Sequence, residues 1–211
     1  MHVDFWHDKW ANNEIGFHEG KPNALLTQHL SQLHLAPKNR IFLPLCGKSM
    51  DILWLLAEGY EVVGVELSSL AVEQLFETLE IAPQTESVGK FTRFYTEGLD
   101  IFVGDFFDLD AGILGQVDAI YDRAALVALP LEMRTRYAAH LTMITHQAPQ
   151  LIICFTYDQS QLAGPPFSIS DNELHKHYAD HYSLELLESM RLAGGLKGKC
   201  DAEEKAWLLK T

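Results

Sequence analysis

Cysteine, basic charge and unbroken apolar runs are all scarce in this 211-residue sequence, and each scarcity removes a class of function. The three cysteines, Cys46, Cys154 and Cys200, are odd in number and far apart, which fits reduced thiols in a cytoplasm and not a disulfide framework. Each is expected to be a small buried residue, although Cys46 sits beside an unusual turn. With 16 basic against 29 acidic residues the formal charge is −13, so the surface repels a phosphate backbone and an anionic membrane alike. No nucleic acid and no membrane are expected as partners. The longest apolar stretches, such as Ile52 to Leu56, are soon broken by charge and glycine, so no span crosses a bilayer. At the N-terminus, "MHVDFWHDKW" carries acids and aromatics where a secretion signal would carry a basic start and an apolar run, and a cytoplasmic location is expected.

What is present is ordinary globular composition, 47% apolar and 21% charged, without internal repeats or low-complexity tracts. One domain spanning residues 1–211 is expected, acting as a monomer. Four apolar runs, "RIFLPL" (40–45), "YEVVGVEL" (60–67), "VDAIYD" (117–122) and "QLIICFTYD" (150–158), alternate with helical patterns. The helical segments are "SMDILWLLAEG", "SSLAVEQLFETLE" and "PLEMRTRYAAHLTMIT", two opened by serine and one by Pro130. This alternation predicts an α/β fold with a mostly parallel sheet and helices on both faces. "KFTRFYTEGLDIFVGDFFDL" reads as a hairpin around Glu97-Gly98 that supplies the third parallel strand, at 101–104, and an extra one. After the proline loop "AGPPFS" come a helix capped near Ser170 and two closing strands, "YSLELLESM" and "EEKAWLLKT", which predict an antiparallel edge.

The stretch "IFLPLCGKSMD" ends in Gly-Lys-Ser, yet it is a poor phosphate loop. The glycine needed five positions upstream is Phe42, and Pro44 removes a backbone N–H from the nest. One glycine, Gly47, stands where a dinucleotide fingerprint would have three. What remains is a strand, a tight turn and a helix start, suited to a ligand whose contact with the turn is short and polar. Glu66 ends the second strand about twenty residues later, where an acid accepts hydrogen bonds from both hydroxyls of a ribose. At the third strand end Asp105 is placed to accept from an exocyclic amine and Phe106 to lie against a flat base. Asp122 and Arg123 end the fourth. Ribose, adenine and an amino-acid tail without phosphate describe S-adenosyl-L-methionine. No metal is expected: His177 and His181 stand four apart, but nothing supplies the glutamate of a metalloprotease motif or a further ligand set.

Taken together, "FWHDKWANNEIGFHEG", "LPLCGKSMDILWLLAEGYEVVGVELSSLAV", "DFFDL", "YDRAALVALP" and "GPPFS" resemble the thiopurine S-methyltransferase family, particularly its bacterial form, in order from about residue 5 to 170. The resemblance implies a seven-stranded Rossmann-like class I methyltransferase that moves a methyl group from S-adenosylmethionine to the sulfur of an aromatic or heterocyclic thiol, without metal. It assigns Trp10, Leu45, Glu66 and Arg123 to the methyl donor, with Asp105 and Phe106 flanking adenine. Phe17 and Pro166 would line the acceptor pocket, and Arg123, near the reacting sulfur, would be the catalytic group that favours the thiolate. Residues 1–22 would form a lid over the active site. The family's further basic residue has no clean counterpart in "MRLAGGLKGKC", which offers Arg191 and Lys197. A small-molecule thiol is the expected partner. The alternatives are a methyltransferase for selenium or tellurium compounds, and a nonenzymatic nucleoside-binding module that regulates a partner.

Overall fold

The computed structural model describes residues 3–15 and 18–211. Among these residues nine strands form one sheet: β1 (Arg40–Pro44), β2 (Glu61–Glu66), β3 (Gln84–Val88), β4 (Phe91–Thr96), β5 (Leu99–Val103), β6 (Ala119–Arg123), β7 (Gln150–Tyr157), β8 (Ser183–Arg191) and β9 (Ala202–Lys210). Their order is β3-β4-β5-β2-β1-β6-β7-β9-β8. The five central strands β5, β2, β1, β6 and β7 pair in parallel, while β4 and β9 run antiparallel to their neighbours. The resemblance implies seven strands and the sequence pattern places eight, with one antiparallel edge; the structure corrects this to nine, with antiparallel strands at both edges. The additional strand is β3, whose "QTESV" is exposed almost throughout and so lacks the apolar signal of a strand with a buried face. It is held by its register with β4, from Gln84 opposite Tyr95 to Val88 opposite Phe91.

The central strands are apolar at successive positions because helices cover both faces. Side chains alternate across the sheet: Ile41, Leu43, Val62 and Tyr121 enter one core, Phe42, Val63 and Ile120 the other. The helices are α1 (Val3–Ala11), α2 (Ala24–His29), α3 (Met50–Ala57), α4 (Ser69–Thr78), α5 (Ala111–Leu114), α6 (Leu131–Ile144) and α7 (Asp171–Tyr178). Leu25, Ile52, Leu55, Val72 and Leu75 from α2, α3 and α4 fill the first core. Leu114, Tyr137, Leu141 and Leu174 from α5, α6 and α7 fill the second. The serines expected to start helices do so: Ser49, Ser68 and Ser170 each accept a hydrogen bond from a backbone N–H of the first turn. α7 stops at Tyr178, so His181 lies beyond it, and His177 instead sits 3.2 Å from Glu173. No helix among the described residues is long and apolar enough to cross a membrane.

Two buried acids tie the strand ends to the helices. Asp51, at the start of α3, accepts from the Asn23 N–H at 2.7 Å and from the Tyr121 hydroxyl at 3.0 Å, joining the approach to α2 to β6. Asp122 is fully buried on the opposite face, where it accepts from the Tyr137 hydroxyl at 2.7 Å and the Leu126 N–H at 3.1 Å. Burial pushes its carboxyl up to about 6, against the pull of those hydrogen bonds. The folded chain therefore holds a proton there that the unfolded chain, titrating near 3.8, gives up. This contribution to stability is complete below about pH 4 and is lost as pH rises through about 6, by on the order of 3 kcal/mol in total. Asp122→Asn is expected to flatten the stability curve over that interval in denaturant titrations at successive pH values. A second expectation concerns Gly64 in β2, where a Cβ would come within 2.7 Å of Cys46 Sγ and 2.8 Å of Ile101 Cδ1. Gly64→Ala should cost roughly 1–3 kcal/mol by overfilling the core, read as a lower Tm in a thermal melt.

Candidate functional site

The parallel strands all deliver their carboxyl ends to one edge of the sheet. The order reverses between β1, whose crossover leads to β2, and β6 on its other side, which opens a crevice at that edge. A cavity of about 740 Å³ occupies it, in the upper part of the ~300–1,000 Å³ range of small-molecule sites.

The floor is the turn between β1 and α3. Leu45 and Gly47 both take positive φ, +48° and +54°, which the glycine adopts freely and the leucine only under strain. A side chain at position 47 would also meet the Trp10 ring at 3.1 Å. Glycine at this position thus lets the indole of α1, only 4% exposed, lie against the turn. Three N–H groups of the turn are spent inside the protein: Cys46 donates to the Val65 carbonyl, Gly47 to Glu66, and Ser49 to the Cys46 carbonyl. Lys48 turns its ammonium to the Gln74 side chain at 2.8 Å. A phosphate would find no nest here.

Glu66, at the end of β2, faces this turn. Its Oε2 accepts from the Gly47 N–H and its Oε1 from the Ser68 N–H, both at 2.9 Å. Burial raises its pKa, while the N–H groups of Ser68, Gly47 and Leu67 pull it back down. A carboxylate has about four lone-pair positions, so each oxygen keeps room for a second donor from the cavity, which Glu66 also lines. This acceptor pair fits the adjacent hydroxyls of a ribose. Asp105, after β5, uses Oδ1 to hold the Phe107 N–H at 2.9 Å and caps a short helical turn over Phe106–Asp108. Phe106 lines the cavity but is only 3% exposed, because its ring is taken up by Tyr137, His140 and Phe107. Little of its face is left for a base.

At the other end Arg123 leaves β6 with its side chain only 11% exposed, and its Nη2 pairs with Glu19 Oε1 at 2.6 Å. Its partner is thus an acid from the N-terminal segment and not the adjacent Asp122, which belongs to the core. Glu204 of β9 lines the same region, held by the Asn23 amide at 3.3 Å, and its pKa is raised chiefly by burial and also by Glu19. His18 lines it too. Its pKa is lowered by burial first, then by Lys48 and Arg123, with Glu19 opposing. Pro166 contributes to the wall, its carbonyl accepting from the Tyr157 hydroxyl at 2.6 Å.

The structure thus brings Trp10, Leu45, Glu66, Asp105, Phe106, Arg123 and Pro166 to one cavity, while Phe17 lies outside the described residues. Of the two basic residues left open by the sequence, Lys197 lines the cavity, its Nζ 2.9 Å from the Pro165 carbonyl, whereas Arg191 is exposed and paired with Asp201. Sequence reasoning gives no role to His18, Glu19 or Glu204. The first two lie inside the "GFHEG" stretch, where the family motif itself is the signal; Glu204 sits in a closing strand with no local signal. Among the described residues no group of three or more His, Cys, Asp or Glu is placed to hold a metal ion.

Comparison with known proteins agrees with this geometry. The crystal structure of 1,6-didemethyltoxoflavin-N1-methyltransferase from Burkholderia thailandensis, with bound S-adenosylhomocysteine, superposes with a TM-score of 0.65 at 15% identity, covering 99% of this chain and 87% of that one. At that identity it shows the class I methyltransferase fold alone. In sequence, the chain is 53% identical to the thiopurine S-methyltransferase of Xanthobacter autotrophicus over 211 residues, 100% of this chain and 99% of that relative. It is 47% identical to that of Gluconobacter oxydans, over 96% and 92% of the two chains. The profile of the family described as Thiopurine S-methyltransferase matches residues 1–207. On that match and on full-length identity above one half, the chain belongs to the thiopurine S-methyltransferase family.

Proposed function

We propose that this chain transfers a methyl group from S-adenosylmethionine to the sulfur of an aromatic or heterocyclic thiol, thiopurines among them. Glu66 carries the reading: a buried acid beside a turn that spends three of its N–H groups inside the protein suits a ribose and repels a phosphate. When bound, S-adenosylmethionine supplies an electrophilic methyl carbon on a sulfonium. The protein's task is to align the acceptor with it and to keep water out.

Glu66 holds the diol, and Trp10 and Leu45 bound the donor beside the turn. Asp105 has one carboxylate oxygen free of the Phe107 N–H and directs it to an exocyclic amine. Phe106 supports the adenine end mainly through its backbone and ring edge, since its ring face is buried. Arg123 stabilises negative charge on the acceptor sulfur, with Pro166 and the Lys197 stem shaping the wall around it. Glu19 holds the Arg123 guanidinium, so an anionic sulfur displaces one carboxylate and needs no new cation. The N-terminal residues 1–22 act as a lid: α1 sets Phe5, Trp6 and Trp10 along the cavity, where their apolar area excludes solvent.

Transfer of a labelled methyl group from S-adenosylmethionine to a panel of heterocyclic thiols, without added metal, tests the activity directly. Glu66→Gln, which turns one acceptor into a donor, should weaken donor binding by about 10- to 100-fold, the loss of one charge-assisted hydrogen bond, as read by calorimetry. Arg123→Glu should raise the acceptor KM or lower turnover; unchanged kinetics would remove Arg123 from the reaction. Glu19→Gln frees the guanidinium and should lower KM several-fold for acceptors that arrive as thiolates, measured in the same assay.

A further inference from the structure

We propose that His18 is the general base that removes the proton from an acceptor's S–H group at the Arg123 end of the cavity. Arg123 can stabilise a thiolate but cannot take up a proton, because a guanidinium is always charged. Acceptors that enter as neutral thiols therefore need a second group, and among the described residues that line the cavity one is a histidine, His18.

Three observations place His18 in this role. It lines the cavity with Arg123, Lys48 and Glu19. Its backbone is fixed by a hydrogen bond from its N–H to the Ile15 carbonyl at 2.8 Å, while its imidazole makes no hydrogen bond among the described residues. The main chain thus sets His18 at the cavity wall, and its proton-accepting nitrogen is unspent among the described residues. The charged groups that act on it come from three elements: Lys48 from the turn after β1, Arg123 from β6 and Glu19 from its own segment, while Glu204 of β9 lines the same cavity. The two cations and partial burial keep the ring neutral near pH 7, the state a base requires.

The inference rests on methyl transfer to sulfur at this end of the cavity. As the acceptor's S–H bond breaks, its proton passes to the imidazole and the sulfur's electron pair forms the new S–CH₃ bond. The methyl–sulfonium bond of the donor breaks with its electron pair remaining on the donor sulfur, which leaves as a neutral thioether. The imidazolium then returns its proton to solvent. Thiols already ionised at the working pH skip the first event and rely on Arg123 alone.

The experiment compares wild type and His18→Gln on two sets of thiols, heterocyclic ones ionised at the assay pH and others with pKa about 8.5 or above, with donor affinity measured by calorimetry on both proteins. The variant is expected to keep donor affinity and to lose kcat/KM for weakly acidic thiols by about 100-fold, at least tenfold more than for ionised ones. Equal losses on both sets, or no loss on either, would overturn the assignment. The wild-type pH profile gives a second measurement that does not depend on the variant folding. With a weakly acidic thiol, kcat/KM should level off by neutral pH, once the imidazole is deprotonated; a tenfold rise per pH unit up to the thiol's own pKa means that free thiolate reacts unaided, and the base is not His18. A wild type that methylates no thiol in either set would overturn the thiol reading as well. Turnover of ionised thiols with the base assignment failing leaves that reading standing.

Discussion

The carboxylate of Glu66 is the contact on which the rest of the site depends. With one oxygen on the Gly47 N–H and the other on the Ser68 N–H, it joins the turn after β1 to the start of α4 across the β1–β2 pair. A buried charge is tolerated only if it is well supplied with hydrogen bonds, and here the donors are backbone groups that would otherwise be orphaned by a tight turn and a helix start. The same contact fixes the turn against Trp10, so the floor of the cavity and the helix that covers it are set together. The remaining acceptor capacity of Glu66 points to where a ligand is wanted.

The two ends of the cavity differ in charge. At the Glu66 end each carboxylate oxygen already accepts one backbone N–H, and the remaining acceptor capacity matches the neutral diol of the proposed donor. At the Arg123 end the guanidinium pairs with Glu19 and lies close enough to Glu204 to lower its pKa, in the cavity that Lys48 and Lys197 also line. In the proposed transfer, this guanidinium would stabilise a sulfur that gains negative charge and loses it again as the methyl group arrives.

Much of this is legible in the chain. Continuous apolar runs mark the parallel strands, serines mark the helix starts, and the lone glycine with Pro44 in "LPLCGKS" is enough to exclude phosphate. Strand β3 is not legible, since an exposed edge strand has no buried face to impress a period on its residues. The position of Phe106 after a strand suggests a surface for adenine, whereas its ring is drawn into the aromatic cluster of α6. Nor can the sequence choose the partner of Arg123: Asp122 is adjacent in the chain, yet successive residues of a strand point to opposite faces, which sends Asp122 to Tyr137 and Arg123 to Glu19.

The fold class, the kind of donor and the strand ends that hold it follow from local periodicity and from spacing along single β-turn-α units, so the chain's own order of residues is sufficient to set them. Which charges meet at the acceptor end is a matter of tertiary structure alone. His18, Glu19, Lys48, Arg123, Lys197 and Glu204 are spread from residue 18 to residue 204, and they line one cavity because the carboxyl ends of the parallel strands, the first residues of antiparallel β9 and the N-terminal segment meet at the same edge of the sheet. That convergence is a property of the folded topology and leaves no mark on any one stretch of the chain.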